Sequence, residues 1–226
     1  MSDAAAWEAG AHGWAALVRG EADVPFHWHI PVFFELLPRP GRRTVEIGCG
    51  EGRVTRLLKE RGHAVLAIDV SPTLLALARE ADPDGDYRLA SAAALPPGDG
   101  EADLVVAFMS LQDVEDAGGA IREAARVLEP GGRFCLAILH PATTVGDFEG
   151  PDEAARYVLR RPYLEPSISN RPLGAFAVPS YHRPLETYFG WLADAGFLVE
   201  RLRELSTRRR APGCVPIFLD LRAVKR

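Results

Sequence analysis

Cysteine is scarce in this chain: Cys49, Cys135 and Cys214 are the only three, too few and too scattered for a disulfide framework or a zinc site. Cys49 falls inside a glycine-rich turn, where its backbone is what counts, and Cys135 sits in an apolar run and reads as small core filler. Long apolar runs are missing too. No segment approaches the roughly 20 residues needed to cross a bilayer. The first residues carry acids, Trp7 and Trp14 rather than a basic stretch followed by an apolar one, so no secretory leader is expected. Nor is there a surplus of positive charge. A formal net charge of -5 argues against nucleic acid as the primary partner, because that partner calls for a basic surface. No Asp/Glu/His group shows ligand spacing, so no metal is expected. These absences leave a reduced, cytoplasmic setting with neither membrane nor nucleic acid as partner.

What is present is an average globular composition, 47% apolar and 25% charged, in 226 residues, enough for one substantial α/β domain. Strand and helix signals alternate. Residues 44–48 read as a buried strand, 53–61 as a helix closed by Gly62, and 64–69 as a second strand. Ser71 and Pro72 supply an N-cap and a first-turn proline for a helix over 73–81. Residues 86–90 form a short strand and 102–108 a buried one. A helix over 117–128 stops before Pro130-Gly131-Gly132, which feeds a strand over 133–139. This rhythm predicts a doubly wound, mostly parallel sheet with helices on both faces.

The remainder changes character. From Pro141 to about Pro184 the chain is proline-rich and loop-like, with Phe148, Tyr157, Tyr163, Phe176 and Tyr181 spread through it, and reads as a lid or binding element. An amphipathic helix over 185–195, closed by Gly196, precedes two strands, 197–205 and 215–224. Joined without a helix, these must be antiparallel, so the sheet is expected to end in a reversed hairpin. Residues 4–37 read as helical segments broken by Pro25, Pro31 and Pro38.

The stretch Val45-Glu46-Ile47-Gly48-Cys49-Gly50-Glu51-Gly52 carries the functional signal. An apolar run ends in a glycine turn that opens a helix, and the next apolar run ends on Asp69, 21 residues after Gly48. Glycines let a nucleoside cofactor approach the backbone, and an acid at that point takes ribose hydroxyls. The dinucleotide fingerprint needs two residues before its third glycine, whereas position 53 here is Arg53. A pyrophosphate cradle, and with it a nicotinamide-dependent reductase, is disfavoured.

With these residues in view, the chain resembles the class I S-adenosylmethionine-dependent methyltransferases, specifically the small-molecule branch. The resemblance rests on Glu46-x-Gly48-x-Gly50-x-Gly52, on Asp69, on Leu95-Pro96 ahead of the strand near Asp103, and on Leu128-Glu129-Pro130-Gly131-Gly132. It implies a Rossmann-like seven-stranded sheet with S-adenosylmethionine as cofactor and S-adenosylhomocysteine as product. It also implies one domain: an N-terminal helical cap (1–40), a cofactor-binding core (41–140), a substrate-side insertion (141–183) and a closing helix and hairpin (184–226). Glu46 would organise the turn near the methionine amino group, and the backbone at Gly48, Cys49 and Gly50 would pass under the methionine portion. Asp69 would accept both ribose hydroxyls, Val70 would contact adenine, and Ala92 would offer adenine its amide, with Ala93 and Leu95 alongside. Phe108 and Met109 would lie beside the sulfonium. Ser91 stands where many relatives carry an Asp; its hydroxyl is a neutral, shorter acceptor for the adenine amino group.

Methyl transfer asks the protein to align reactants and exclude water; a base is needed where the acceptor must lose a proton. His140, directly after the fifth strand and before Pro141, and His182, where the insertion rejoins the sheet, are the candidate bases. His29, Tyr157, Tyr163, Tyr181 and Arg183 are candidate substrate contacts, the aromatic residues suiting a flat acceptor. His27 and His29, flanking Trp28, otherwise read as packing or hydrogen-bonding residues. Asp113, Glu115 and Asp116 read as a solvated helix start, and Arg208-Arg209-Arg210 with Arg201 and Arg203 as a solvated basic turn. The reading favoured by the sequence is O-methylation of a phenolic or hydroxylated metabolite by a monomer or homodimer. N- or C-methylation and non-catalytic cofactor binding stay open. A nucleic-acid methyltransferase is a poor second, because Phe108-Met109-Ser110-Leu111 lacks the Asn/Asp-Pro-Pro-aromatic turn.

Overall fold

The structure is a computed structural model that describes residues 2–20, 24–150, 155–174, 176–206 and 215–226. Arg208, Arg209, Arg210 and Cys214 lie outside the described residues. Two helices, α1 (Asp3–Arg19) and α2 (Val24–Phe34), precede the sheet. The alternation then runs β1 (Thr44–Ile47), α3 (Arg53–Glu60), β2 (Val65–Asp69), α4 (Pro72–Ala81), β3 (Asp86–Leu89), β4 (Ala102–Phe108), a 3-10 turn (Leu111–Asp113), α5 (Ala117–Val127) and β5 (Leu128–Leu139). The insertion holds α6 (Pro141–Thr144) and strands β6 (Gly146–Phe148), β7 (Tyr157–Leu159), β8 (Ser167–Leu173) and β9 (Phe176–His182). The chain closes with α7 (Leu185–Asp194), β10 (Phe197–Leu205) and β11 (Phe218–Lys225).

The seven-stranded sheet has the order β10-β11-β5-β4-β1-β2-β3. β1 pairs parallel to β2 and β4, and β4 parallel to β5, while β11 is antiparallel to both β5 and β10. The doubly wound, mostly parallel sheet with a C-terminal antiparallel hairpin is therefore present. Among the described strands of this sheet only β11 is reversed, and it lies inside the sheet with β10 at the edge.

Period-two alternation divides the core cleanly between the two faces. Val45, Ile47, Leu66, Ile68, Val105, Ala107, Phe134, Leu136 and Ile138 pack on one side with α5 and α7. Ala67, Leu104, Val106, Cys135 and Ala137 pack on the other, where α2, α3 and α4 bring Phe33, Leu58 and Leu75. Each buried Val, Leu, Ile or Phe among them stabilises by about 1.5–3 kcal/mol. Successive β residues face opposite layers, so strands covered on both sides must be apolar throughout.

Three expectations need correction. Pro31 lies inside α2 and does not break it. β5 begins at Leu128, ahead of the expected Arg133, and runs through Gly131, whose φ of 81° only glycine adopts at no steric cost. The insertion is not loop-like: β6 pairs with β7 and β8 with β9 as antiparallel ribbons. Its proline content hid them, since a two-stranded ribbon has exposed edges that tolerate proline.

Candidate active site

Along the carboxyl ends of β1, β2, β3 and β4 runs a cavity of about 640 Å³. Glu46, Gly48, Cys49, Gly50, Asp69, Val70, Ser91, Ala92, Ala93, Phe108, Met109 and His29 all border it. This is where ligands sit in open α/β sheets.

The turn after β1 is held from three sides. Asp69 accepts the Gly50 amide on Oδ2 at 2.8 Å and the Ser71 amide on Oδ1 at 2.9 Å. Ser110, after β4, donates its hydroxyl to the Ile47 carbonyl at 2.8 Å. That contact explains Gly48: its φ is 72°, and a Cβ there would stand 2.5 Å from the Ser110 Cβ. At Gly50 a Cβ would reach within 3.4 Å of the Trp14 indole nitrogen, so the glycines keep the space between turn and cover open. Glu46 is buried and takes the Thr55 hydroxyl at 2.5 Å; burial first, then the nearby Asp69, push its pKa up to about 7. Burial likewise raises the Asp69 carboxyl, against the opposing amides of Ser71 and Gly50, and raises the Cys49 thiol well above its usual value. Ser91 is exposed, and its hydroxyl oxygen accepts the Ala93 amide at 3.2 Å.

The cover is α1. Trp7, Trp14, Leu17 and Val18 form part of the wall. Glu8 clasps the start of α4, accepting Ser71 Oγ at 2.5 Å, Thr73 Oγ1 at 2.6 Å and the Thr73 amide at 3.2 Å. Asp3 accepts the Glu115 amide and the Tyr181 hydroxyl. Phe176 of β9 fills the notch left by Gly10 and Gly13, where Cβ atoms would lie 2.3 and 3.0 Å from its ring.

Several expected residues are engaged elsewhere. His140 does not border the cavity: it caps α6, its Nδ1 accepting the Ala142 amide at 3.1 Å, with Nε2 2.9 Å from Glu204. His182 uses both ring nitrogens, Nδ1 with Thr144 at 2.6 Å and Nε2 with the Tyr163 carbonyl at 2.7 Å. Burial lowers the pKa of both histidines. Tyr157 donates to the Ala142 carbonyl, Tyr163 accepts the Leu185 amide, and Tyr181 is tied to Asp3. Arg183 donates to the Val114 and Glu115 carbonyls, each at 2.7 Å. Leu95 is buried in the core, its amide on Glu123 at 2.8 Å. These residues brace the wall from behind.

The sequence reading also missed residues. Asp113 is not solvated: it is 3% exposed, borders the cavity and pairs with Arg171 of β8 at 2.5 Å. Its Oδ1, Arg171 Nε and Gln112 Oε1 are buried without hydrogen-bond partners among the described residues. Asp116 does cap α5, accepting the Gly119 amide at 2.7 Å. Asp220 of β11 is fully buried and holds His29 Nε2 at 2.7 Å. A lone carboxylate inside Phe218-Leu219-Asp220-Leu221 was the available signal, because a buried charge needs a partner. Among the described residues no metal-holding group of three or more His, Cys, Asp or Glu occurs, and no helix is long and apolar enough to cross a membrane.

Fold and cleft together define an α/β protein built around a nucleoside-type cofactor. Residues 45–136 match the family model described as a methyltransferase domain. A ubiquinone biosynthesis O-methyltransferase of Xanthomonas euvesicatoria is 31% identical over 189 residues, 78% of this chain and 72% of that protein. An uncharacterized methyltransferase of Mycobacterium tuberculosis is 41% identical over 101 residues, 45% of this chain, and the match spans only 41% of that protein. The crystal structure of an S-adenosylmethionine-dependent methyltransferase from Mesorhizobium loti superposes with a TM-score of 0.73 at 27% identity, covering 86% of this chain and 96% of that one. The chain belongs to the S-adenosylmethionine-dependent methyltransferases.

Proposed function

We propose that the chain transfers a methyl group from S-adenosylmethionine to the hydroxyl of a small, largely apolar acceptor, releasing S-adenosylhomocysteine. The observation that carries this reading is the division of one cavity along the sheet edge. Over β1 to β3 its border brings the acids Glu46, Glu51 and Asp69 and the glycines Gly48 and Gly50 together with apolar Ile68, Val70 and Leu74; beyond β4, Phe108, Met109, Leu139, Leu173 and Phe218 stand with His29, and Ser110, Asp113 and Arg171 complete that side. A cofactor with a charged amino acid end and a ribose suits the first half, and a flat hydroxylated ring suits the second. The printed function of the Xanthomonas relative, an O-methyltransferase, agrees with that choice.

On this reading Asp69 takes the ribose hydroxyls on lone pairs that the Gly50 and Ser71 amides leave free. Glu46 sits under the amino group, and the backbone at Gly48, Cys49 and Gly50 underlies the methionine portion. Val70, Ala92 and Ala93 enclose adenine, and Phe108 and Met109 flank the sulfur. The cofactor brings an activated methyl group, so the chain's task is alignment and exclusion of water, which α1 and its two tryptophans supply. Transfer of labelled methyl from S-adenosylmethionine to a panel of phenols, alcohols and amines, with S-adenosylhomocysteine quantified, tests the reading. Labelled phenol ethers are the expected product. Label on amines alone, or calorimetry showing no cofactor binding, overturns it.

A further inference from the structure

β11 alternates strictly, with Leu219, Leu221 and Ala223 turned into the core beside α5 and α7. Asp220 faces the opposite layer, beneath α2, and is completely buried. A carboxylate in that position is costly unless it is paired. Arg222, next along the same face, is directed elsewhere, to the Leu36 carbonyl at 3.0 Å and to Glu200 at 2.8 Å. The partner of Asp220 is His29, Nε2 to Oδ1 at 2.7 Å, between side chains 1% and 0% exposed.

This pairing fixes the tautomer of the neutral ring. A proton on Nε2, donated to Asp220, leaves the lone pair on Nδ1. Among the described residues Nδ1 has no hydrogen-bond partner, yet it is not among the side-chain atoms that the protein seals off completely. The space that His29 borders is the cavity. The ring is fixed by Phe218, stacked with centroids 4.3 Å apart, and by Phe108 at 5.0 Å. Among the described residues it is the one histidine in the cavity wall.

We propose that His29 is the catalytic base that takes the acceptor's hydroxyl proton on Nδ1, and that Asp220 is its positioning residue; this rests on the hydroxyl-acceptor reading above. The acceptor's O–H bond breaks and its proton moves to Nδ1. The oxygen forms a bond to the methyl carbon while the carbon–sulfur bond breaks, its electron pair staying on sulfur. The positive charge lost from sulfur reappears on the imidazolium, where Asp220, its Oδ2 without a hydrogen-bond partner among the described residues, offsets it. Solvent takes the proton after product leaves.

The test uses two phenols at one neutral pH: one that titrates near ~10 like a tyrosine side chain, and a nitrophenol already ionised. His29→Asn should lower kcat about 10²-fold or more on the first and less than about fivefold on the second, because an ionised acceptor has no proton to give. Calorimetric affinity for S-adenosylhomocysteine should be unchanged. Asp220→Asn should show the same acidity dependence at smaller size. His29→Asn strands a buried carboxylate, so the His29→Asn/Asp220→Asn double variant is measured alongside and should repeat the pattern. Equal losses on both phenols, or no loss on either, overturn the proposal while leaving the hydroxyl-acceptor reading standing. Failure of the unaltered protein to methylate any phenol overturns that reading and this proposal with it.

Discussion

Asp69 Oδ2 accepts the Gly50 amide at 2.8 Å, so the acid that ends β2 also holds the glycine turn that ends β1. The residue proposed to take the ribose hydroxyls thus also shapes the turn proposed to underlie the methionine portion. Asp69→Ala should therefore weaken S-adenosylmethionine binding at least tenfold, since losing a charge-assisted hydrogen bond costs about 1.5–3 kcal/mol. Calorimetric titration checks this, and unchanged affinity would sink the assignment of the cleft.

Glu46 gives a pH dependence of known sign. Its pKa in the folded protein is about 7 against a usual 4.5, so its contribution to stability is fully present below 4.5 and is lost as pH rises through 7. The difference corresponds to about 3 kcal/mol. Glu46→Gln, which keeps a carbonyl for the Thr55 hydroxyl, should gain on the unaltered protein by roughly that amount between pH 4.5 and 8. Urea unfolding of both proteins across that range measures it; parallel stability curves would refute it.

The clasp made by Glu8 should set how quickly the cover opens. Hydrogen bonds from Ser71 and Thr73 hold the Glu8 pKa below its usual 4.5, so the clasp stays ionised at neutral pH and is lost only as pH falls through that lowered value. Glu8→Ala should speed S-adenosylhomocysteine release by about tenfold at neutral pH, the equivalent of about 1.4 kcal/mol. Trp7 and Trp14 border the cavity, so stopped-flow fluorescence reports the event directly.

The Asp113–Arg171 pair joins the insertion to the turn after β4. Arg171→Ala would strand a carboxylate that burial already raises in pKa. Removing one member of a buried pair costs about 3–5 kcal/mol; with Arg171 a quarter exposed, the lower end is expected. The loss should shrink as pH falls and Asp113 takes up a proton. It should also shrink in Arg171→Ala/Asp113→Asn at neutral pH. Thermal unfolding of the three proteins decides it, equal melting temperatures for the two variants being the adverse result.

The core of the fold was legible because its signals are local. β4 begins and ends where its apolar run does, and Ser71 caps α4 through the Leu74 amide, as its place before Pro72 implies. The turn from Glu46 to Gly52 and the acid at Asp69 follow from one strand-turn-helix unit and its neighbour. The insertion was less legible: its tyrosines are anchored by their hydroxyls behind the wall, and Arg171 and Leu173 are what it presents to the cavity. His140 follows β5 as expected, but its ring is spent on capping α6.

The sequence by itself determined the doubly wound sheet and the half of the cleft that lies over β1 to β3, because periodicity, caps and positive-φ glycines act within a few residues. Only the tertiary structure decided the other half. His29 and Asp220 stand 191 positions apart, and Asp113 and Arg171 stand 58 apart. Nothing local joins either pair; burial does, since a charge carried into the interior must find a partner wherever the chain's packing brings one.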